Sequence, residues 1–192
     1  MKTGITGGIG SGKSYVCKLL AEHGIEVYDC DSAAKRLMRE SAEIRRQLTA
    51  IIGPDTYRQA TDERGQTQWI LNKAAVAQFL LTSEQNAHAV DAIVHPAVFR
   101  DFQESGMQWM ESAIMFESGI NRLVDRIVVV TAPEHVRIER IIKRDGITAE
   151  KAREWIARQW SQEEVCKRAD FEIINDGQHD LKSQIESMLR MR

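Results

Sequence analysis

The sequence predicts an α/β protein, a central parallel sheet with helices on both faces and a helix-rich insertion. Three observations predict it. Short apolar runs at residues 2–6, 25–28, 111–116, 126–131 and 171–174 suit strands covered on both faces. Helical periodicity recurs between them, and a glycine-rich turn joins the first run to the first helical stretch. At 192 residues the chain can bury one substantial core, with spare length for one or two insertions.

The first strand, residues 2–6, leads into Gly7-Gly8-Ile9-Gly10-Ser11-Gly12-Lys13-Ser14. This run fits Gly-x-x-x-x-Gly-Lys-Ser/Thr, the loop that wraps nucleoside triphosphate phosphates. Glycines let backbone N–H groups turn inward on the anion, and the next helix points its positive N-terminus at the same place. In such a loop Lys13 reaches the β and γ phosphates, and the Ser14 hydroxyl ligates the accompanying magnesium ion. Tyr15 stands where Gly-x-Gly-x-x-Gly would need its last glycine after Gly10 and Gly12, which disfavours a dinucleotide fold. Val16, Leu19 and Leu20 form the apolar side of a helix over 15–22, and Gly24 ends it.

Residues 25–28 read as a second strand, completing a βαβ unit. Residues 32–50 are charged and helix-prone up to the break at Gly53-Pro54, and 62–66 read as a polar turn. Val76, Phe79 and Leu80 mark a helix over 73–81, and Thr82 with Gln85 forms a capping box for another. Helical character continues over 87–102 with an interruption at His95-Pro96, because the residue before proline is biased away from α. Strand character returns at 111–116 and 126–131. Pro133 and Glu134 begin a helix bearing Arg137, Arg140 and Arg144; Gly146 interrupts it, and Thr148 with Glu150 starts another running to about residue 161. A last strand at 171–174 precedes a closing helix with Leu181, Ile185, Met188 and Leu189 on one stripe.

Chemistry concentrates at the predicted strand ends. Asp29 and Asp31 follow the second strand, and two aspartates at i and i+2 on an extended segment project to one side. Phosphoryl transfer uses one carboxylate to accept the proton of the attacking hydroxyl and another around magnesium, although Asp31 or Ser32 also suits an N-cap. Glu117 follows an apolar run and reads either as a substrate contact or as a solvated loop residue. One of Arg137, Arg140 and Arg144 is expected to clamp the transferring phosphoryl group. His95-Pro96 is either a ligand contact or a helix-ending turn.

Composition excludes other classes. Lys plus Arg total 26 against 28 Asp plus Glu, so no polybasic nucleic-acid surface is expected. The phosphate loop begins almost at Met1, leaving no room for a secretory signal, and no stretch approaches the about 20 apolar residues of a membrane span. A cytoplasmic protein is expected. Cys17, Cys30 and Cys166 are far apart and read as packing residues rather than zinc ligands. A guanine-reading switch is disfavoured, since Asn72-Lys73-Ala74-Ala75 lacks the aspartate of Asn-Lys-x-Asp.

Taken in order, several segments resemble the dephospho-CoA kinase family, P-loop kinases of the nucleoside-monophosphate-kinase-like group. They are the loop with its flank Gly4-Ile5-Thr6, Val27-Tyr28-Asp29-Cys30-Asp31, Val94-His95-Pro96 and Met115-Phe116-Glu117. Lys143-Arg144-Asp145, Thr148, Arg158 and Gln159 resemble that family's lid, and Ala169-Asp170 with Ile174-Asn175-Asp176-Gly177 its C-terminal motif. The chain departs from the family pattern at Cys30 for alanine, Ala113 for proline and Asn72-Lys73 for Asp-Arg. The resemblance implies a P-loop NTPase three-layer fold with a helical substrate-binding insertion and a helical lid. It also implies transfer of the ATP γ-phosphoryl group, with magnesium, to the ribose 3'-hydroxyl of dephospho-CoA. It implies Asp31 as base, with Lys13, Arg140 and Arg144 also in the catalytic set, and Gly8, Ile9, Gly10, Ser11, Gly12, Lys13, Ser14 and Tyr15 around ATP. Ser14 and Asp29 would serve the metal, and Asp29, Asp31, Lys73, His95 and Glu117 the acceptor. The implied domains are a nucleotide-binding core (1–31, 101–139 and 166–192), a CoA-binding domain (32–100) and a lid (140–165). ATP and dephospho-CoA are the expected partners, with no nucleic acid, membrane or obligate protein partner.

Overall fold

The computed structural model describes residues 1–61, 65 and 67–190. The chain divides into two compact units, Met1–Asp29 with Gly106–Arg192, and Cys30–Ser105.

The first unit is built on five parallel strands, β1 (Thr3–Thr6), β2 (Val27–Asp29), β5 (Trp109–Glu111), β6 (Arg126–Thr131) and β7 (Phe171–Ile174), in the order β2-β5-β1-β6-β7. Two short antiparallel strands of the second unit, β3 (Tyr57–Thr61) and β4 (Thr67–Leu71), fall between them in the chain. Register is set by Ile5 opposite both Glu111 and Val128, and by Asp29 opposite Glu111. Ile5, Val128, Val130 and Ile173 are buried under α1 (Lys13–Glu22) and α9 (Leu181–Arg190), whose Val16, Leu20, Ile185 and Met188 complete that core. The β-branched run of β6 is buried from Ile127 to Thr131, as expected of a strand covered on both faces. A smaller cluster of Ile138, Ile141 and Ala152 ties α6 (Glu134–Asp145) to α7 (Ala149–Ala157).

Two expectations for this unit are corrected. The strand expected over 111–116 ends at Glu111, and 113–116 are turns. Apolarity there has another cause: Met115 is fully buried against Gly4, where a Cβ would come within 2.7 Å of its methyl carbon. The helix expected from Thr148 to about 161 ends at Ala157, and Ser161 caps a separate short helix, α8 (Gln162–Cys166), by accepting from the Glu164 amide.

The second unit packs α2 (Cys30–Glu40), α3 (Ala42–Ile52), α4 (Lys73–Thr82) and α5 (Glu84–Ser105) with the β3–β4 ribbon. The helix-prone stretch over 32–50 holds two helices, because the Ser41 hydroxyl accepts from the Ile44 amide and starts α3 afresh. The cap of α5 is Ser83, whose hydroxyl accepts from Asn86, rather than Thr82. Nor does His95-Pro96 interrupt that helix. Val90, Val94, Val98 and Phe102 repeat every four residues and bury one stripe against α2, α3 and α4. That packing outweighs the roughly 3 kcal/mol an interior proline costs. The ribbon was not expected at all. The polar turn expected at 62–66 lies, apart from Gly65, outside the described residues.

Candidate active site

The phosphate loop leaves the carboxyl end of β1, the middle strand, and Gly12 caps α1 in the left-handed conformation (φ 92°). Its carbonyl oxygens are held from behind. Arg137 Nε donates to the Ile9 carbonyl at 2.9 Å, Arg140 Nη1 to those of Gly10 and Ser11 at 3.3 and 3.2 Å, and Asn175 Nδ2 to that of Ser11 at 2.8 Å. Arg140 Nη2 also donates to the Asn175 carbonyl and side-chain oxygen at 3.0 and 3.2 Å. In a trans peptide the carbonyl and the following N–H point opposite ways. Holding these carbonyls back therefore aims the amides of Gly10 and Gly12 forward, while the Ser11 amide closes a turn inside the loop on the Gly8 carbonyl at 3.1 Å.

The same brace explains the glycines. A Cβ on Gly8 would lie 2.3 Å from Arg137 Nη2, one on Gly10 2.7 Å from the Arg137 carbonyl oxygen, and one on Gly12 2.1 Å from Asn175 Nδ2. Arg137 is almost wholly buried. Sequence reasoning weighed it only as a phosphoryl clamp and gave Asn175 no individual role. Their pairing with the loop spans roughly 130 to 165 positions of chain, a separation at which periodicity is silent.

Lys13 donates to the Gly7 carbonyl oxygen at 2.6 Å. Burial pulls its ammonium below the ordinary lysine range, while the Glu111 carboxylate acts in the opposite sense. Ser14, Cys17, Asp29 and Glu111 line one cleft of about 730 Å3 in this unit. Glu111 is the carboxylate that sequence reasoning missed, because it was read as the start of a strand rather than its end. Burial, reinforced by the Glu111 charge, pushes the Cys17 thiol up to about 12, so it stays protonated beside the loop. Tyr15 is more than half exposed and borders a pocket of about 230 Å3 with Asn175, Gly177 and His179.

The two aspartates do not share an extended segment. Asp29 ends β2, whereas Asp31 lies in the first turn of α2, paired with Lys35 at 2.5 Å. Arg144 occupies the last turn of α6, mostly exposed, with its guanidinium on Asp145 at 2.7 Å. Glu117 sits in the turns after β5 and accepts from the Trp160 amide at 3.3 Å. Within the second unit, His95 stacks on Phe99 and lies 3.5 Å from the Asp91 carboxylate. Asn72 caps α4 by accepting from Ala75, which places Lys73 at the first helical position. Lys73 borders an apolar-floored groove of about 850 Å3 with Lys35, Arg39, Trp69 and Leu80.

Among the described residues, no cluster of three or more His, Cys, Asp or Glu is arranged to hold a metal by itself. The donors around Ser14 are a hydroxyl and two carboxylates, hard oxygens of the kind magnesium takes alongside phosphate and water.

Known proteins resemble this chain in sequence and in fold. The family model described as dephospho-CoA kinase matches residues 1–180. A curated dephospho-CoA kinase of Porphyromonas gingivalis is 41% identical over 189 residues, covering 95% of this chain and 89% of its own. The crystal structure of TT1252 from Thermus thermophilus superposes with a TM-score of 0.80 at 27% identity, covering 98% of this chain and 95% of that one. Shikimate kinase from Acinetobacter baumannii, at 15% identity and TM-score 0.57, shares the fold, covering 99% of this chain and 91% of its own.

Proposed function

The chain belongs to the dephospho-CoA kinase family, and from that membership we propose how its residues divide the reaction. It transfers the γ-phosphoryl group of ATP to the ribose 3'-hydroxyl of dephospho-CoA, giving CoA and ADP, the final step of coenzyme A synthesis. The observation that carries the division of labour is the braced loop with Lys13, beside a cleft where Ser14, Asp29 and Glu111 meet.

Residues Gly8 to Tyr15 surround the ATP phosphates, which the forward amides of Gly10 and Gly12 and the Lys13 ammonium bind, and the α1 N-terminus adds its dipole. Ser14, Asp29 and Glu111 would hold magnesium, which would neutralise charge on the β and γ phosphates. Asp31 takes the proton from the 3'-hydroxyl. That oxygen bonds to the γ phosphorus as the bond to the β–γ bridging oxygen breaks, and ADP leaves with the electron pair. Lys73, His95 and Glu117 contact the acceptor, with residues 32–100 as its domain.

Arg144 serves as the clamp on the transferring group, carried by a lid over 140–165 that excludes water. Arg140 is reassigned from that set to a positioning role, because its guanidinium is committed to loop carbonyls and Asn175. No helix among the described residues is long and apolar enough to cross a membrane. We assign the enzyme to the cytoplasm, working on two small molecules without nucleic acid or an obligate protein partner.

The direct test is ADP release by purified protein with magnesium-ATP, comparing dephospho-CoA with a nucleoside and nucleotide panel and weighing the product. Stimulation by dephospho-CoA with CoA as product is expected. Stimulation by another acceptor instead would remove the acceptor assignment and leave the phosphate site standing.

A further inference from the structure

Gln159 lies between the end of α7 and the Ser161 cap of α8, where nothing in the chemistry above requires a particular side chain. Its carboxamide nonetheless bridges two parts of the first unit. The Ile9 amide of the phosphate loop donates to Gln159 Oε1 at 2.7 Å, and Gln159 Nε2 donates to the Ala113 carbonyl at 3.4 Å. The next residue repeats the connection. Trp160 donates its amide to Glu117 and lays its ring on Phe116, centroids 5.6 Å apart and 8° from parallel. Arg168 covers Trp160 at 4.9 Å. One dipeptide thus joins the loop to both ends of the segment 113–117.

Only a carboxamide suits the bridge. The Ile9 amide has a proton to give and needs an acceptor, whereas the Ala113 carbonyl needs a donor. Glutamate offers acceptors at both ends and would meet the Ala113 oxygen with like charge. Leucine of similar size offers neither.

We infer that Gln159 is a positioning residue that fixes the acceptor-side segment 113–117 against the phosphate loop. The inference rests on the reading above that Glu117 faces the acceptor. Its effect belongs to orientation between two bound substrates, because the forward amides of Gly10 and Gly12 are set independently by Arg137, Arg140 and Asn175.

The test uses full-length Gln159→Leu and Gln159→Glu, with steady-state kinetics in both substrates and hydrogen exchange at the Ile9 amide. The expected result is faster Ile9 exchange in Gln159→Leu, and in both variants a kcat lowered about tenfold to a hundredfold with KM for ATP moved less than about threefold. Should the leucine variant fail to fold, the nearly isosteric glutamate variant decides on kinetics alone. A kcat near wild type in a folded variant overturns the inference. So does a loss expressed as a raised KM for ATP. A lowered KM for ATP with unchanged kcat would also overturn it, showing Gln159 to be a competitor for the loop donor. Glu117→Gln separates the premise from the inference: an unchanged KM for dephospho-CoA removes Glu117 from the acceptor contacts, while the Gln159 result still reads the tether.

Discussion

Asp29 and Asp31 are two positions apart, yet their backbones differ, one ending a strand and the other opening a helix. The strand residue shares a cleft with Ser14. In the first turn of α2, Asp31 pairs with the Lys35 ammonium. Asp31→Asn keeps the shape and loses the basicity. Its kcat is expected to fall about a hundredfold or more, with KM for ATP nearly unchanged. A kcat near wild type would move the base elsewhere, and Asp29→Asn would be the next variant measured.

At the scale of elements, α6 and the turn after β7 act together as the backing of the loop. Asn175 is buried and contributes both a donor to Ser11 and an acceptor to Arg140. Asn175→Ala removes two hydrogen bonds, each worth about 0.5–1.5 kcal/mol, and leaves the Ser11 carbonyl with Arg140 Nη1 and Arg140 Nη2 with the backbone carbonyl of residue 175. Denaturant unfolding is expected to show that loss and kinetics a raised KM for ATP; a variant with unchanged KM would remove the brace from ATP binding. The loop itself was legible in the sequence because its chemistry is local, with glycines, lysine and serine inside eight consecutive positions. So were β6 and the closing helix, whose apolar patterns are long and regular. The brace was illegible, since three side chains reach back from far along the chain. Strand β5 was misplaced because a buried turn around Met115 imitates strand apolarity, and the break at Ser41 because one cap divides an otherwise continuous helical pattern. Pro96 misled in the opposite direction, where a buried valine stripe overrode a local breaker.

For the whole molecule, ligand binding and stability are linked through the unit that carries the loop. ATP binds the folded loop and not the unfolded chain, so magnesium-ATP at a hundred times Kd should add about 2.7 kcal/mol to stability. Thermal melts are expected to rise with ATP in the wild type and to stay flat in Lys13→Ala at the same concentration. An equal rise in both would place the stabilising nucleotide outside the loop. The order of the sheet also has a consequence in time. The strand that launches the loop is flanked by β5 and β6, whose residues follow it by more than a hundred positions. At about 5–20 residues per second, the ribosome delivers those neighbours roughly six to twenty-five seconds after β1. Throughout that interval the nascent chain carries a glycine-rich segment with neither sheet nor brace around it. The contiguous unit from Cys30 to Ser105 is synthesised whole in the meantime, so nucleotide binding is a property the chain acquires late in its own synthesis.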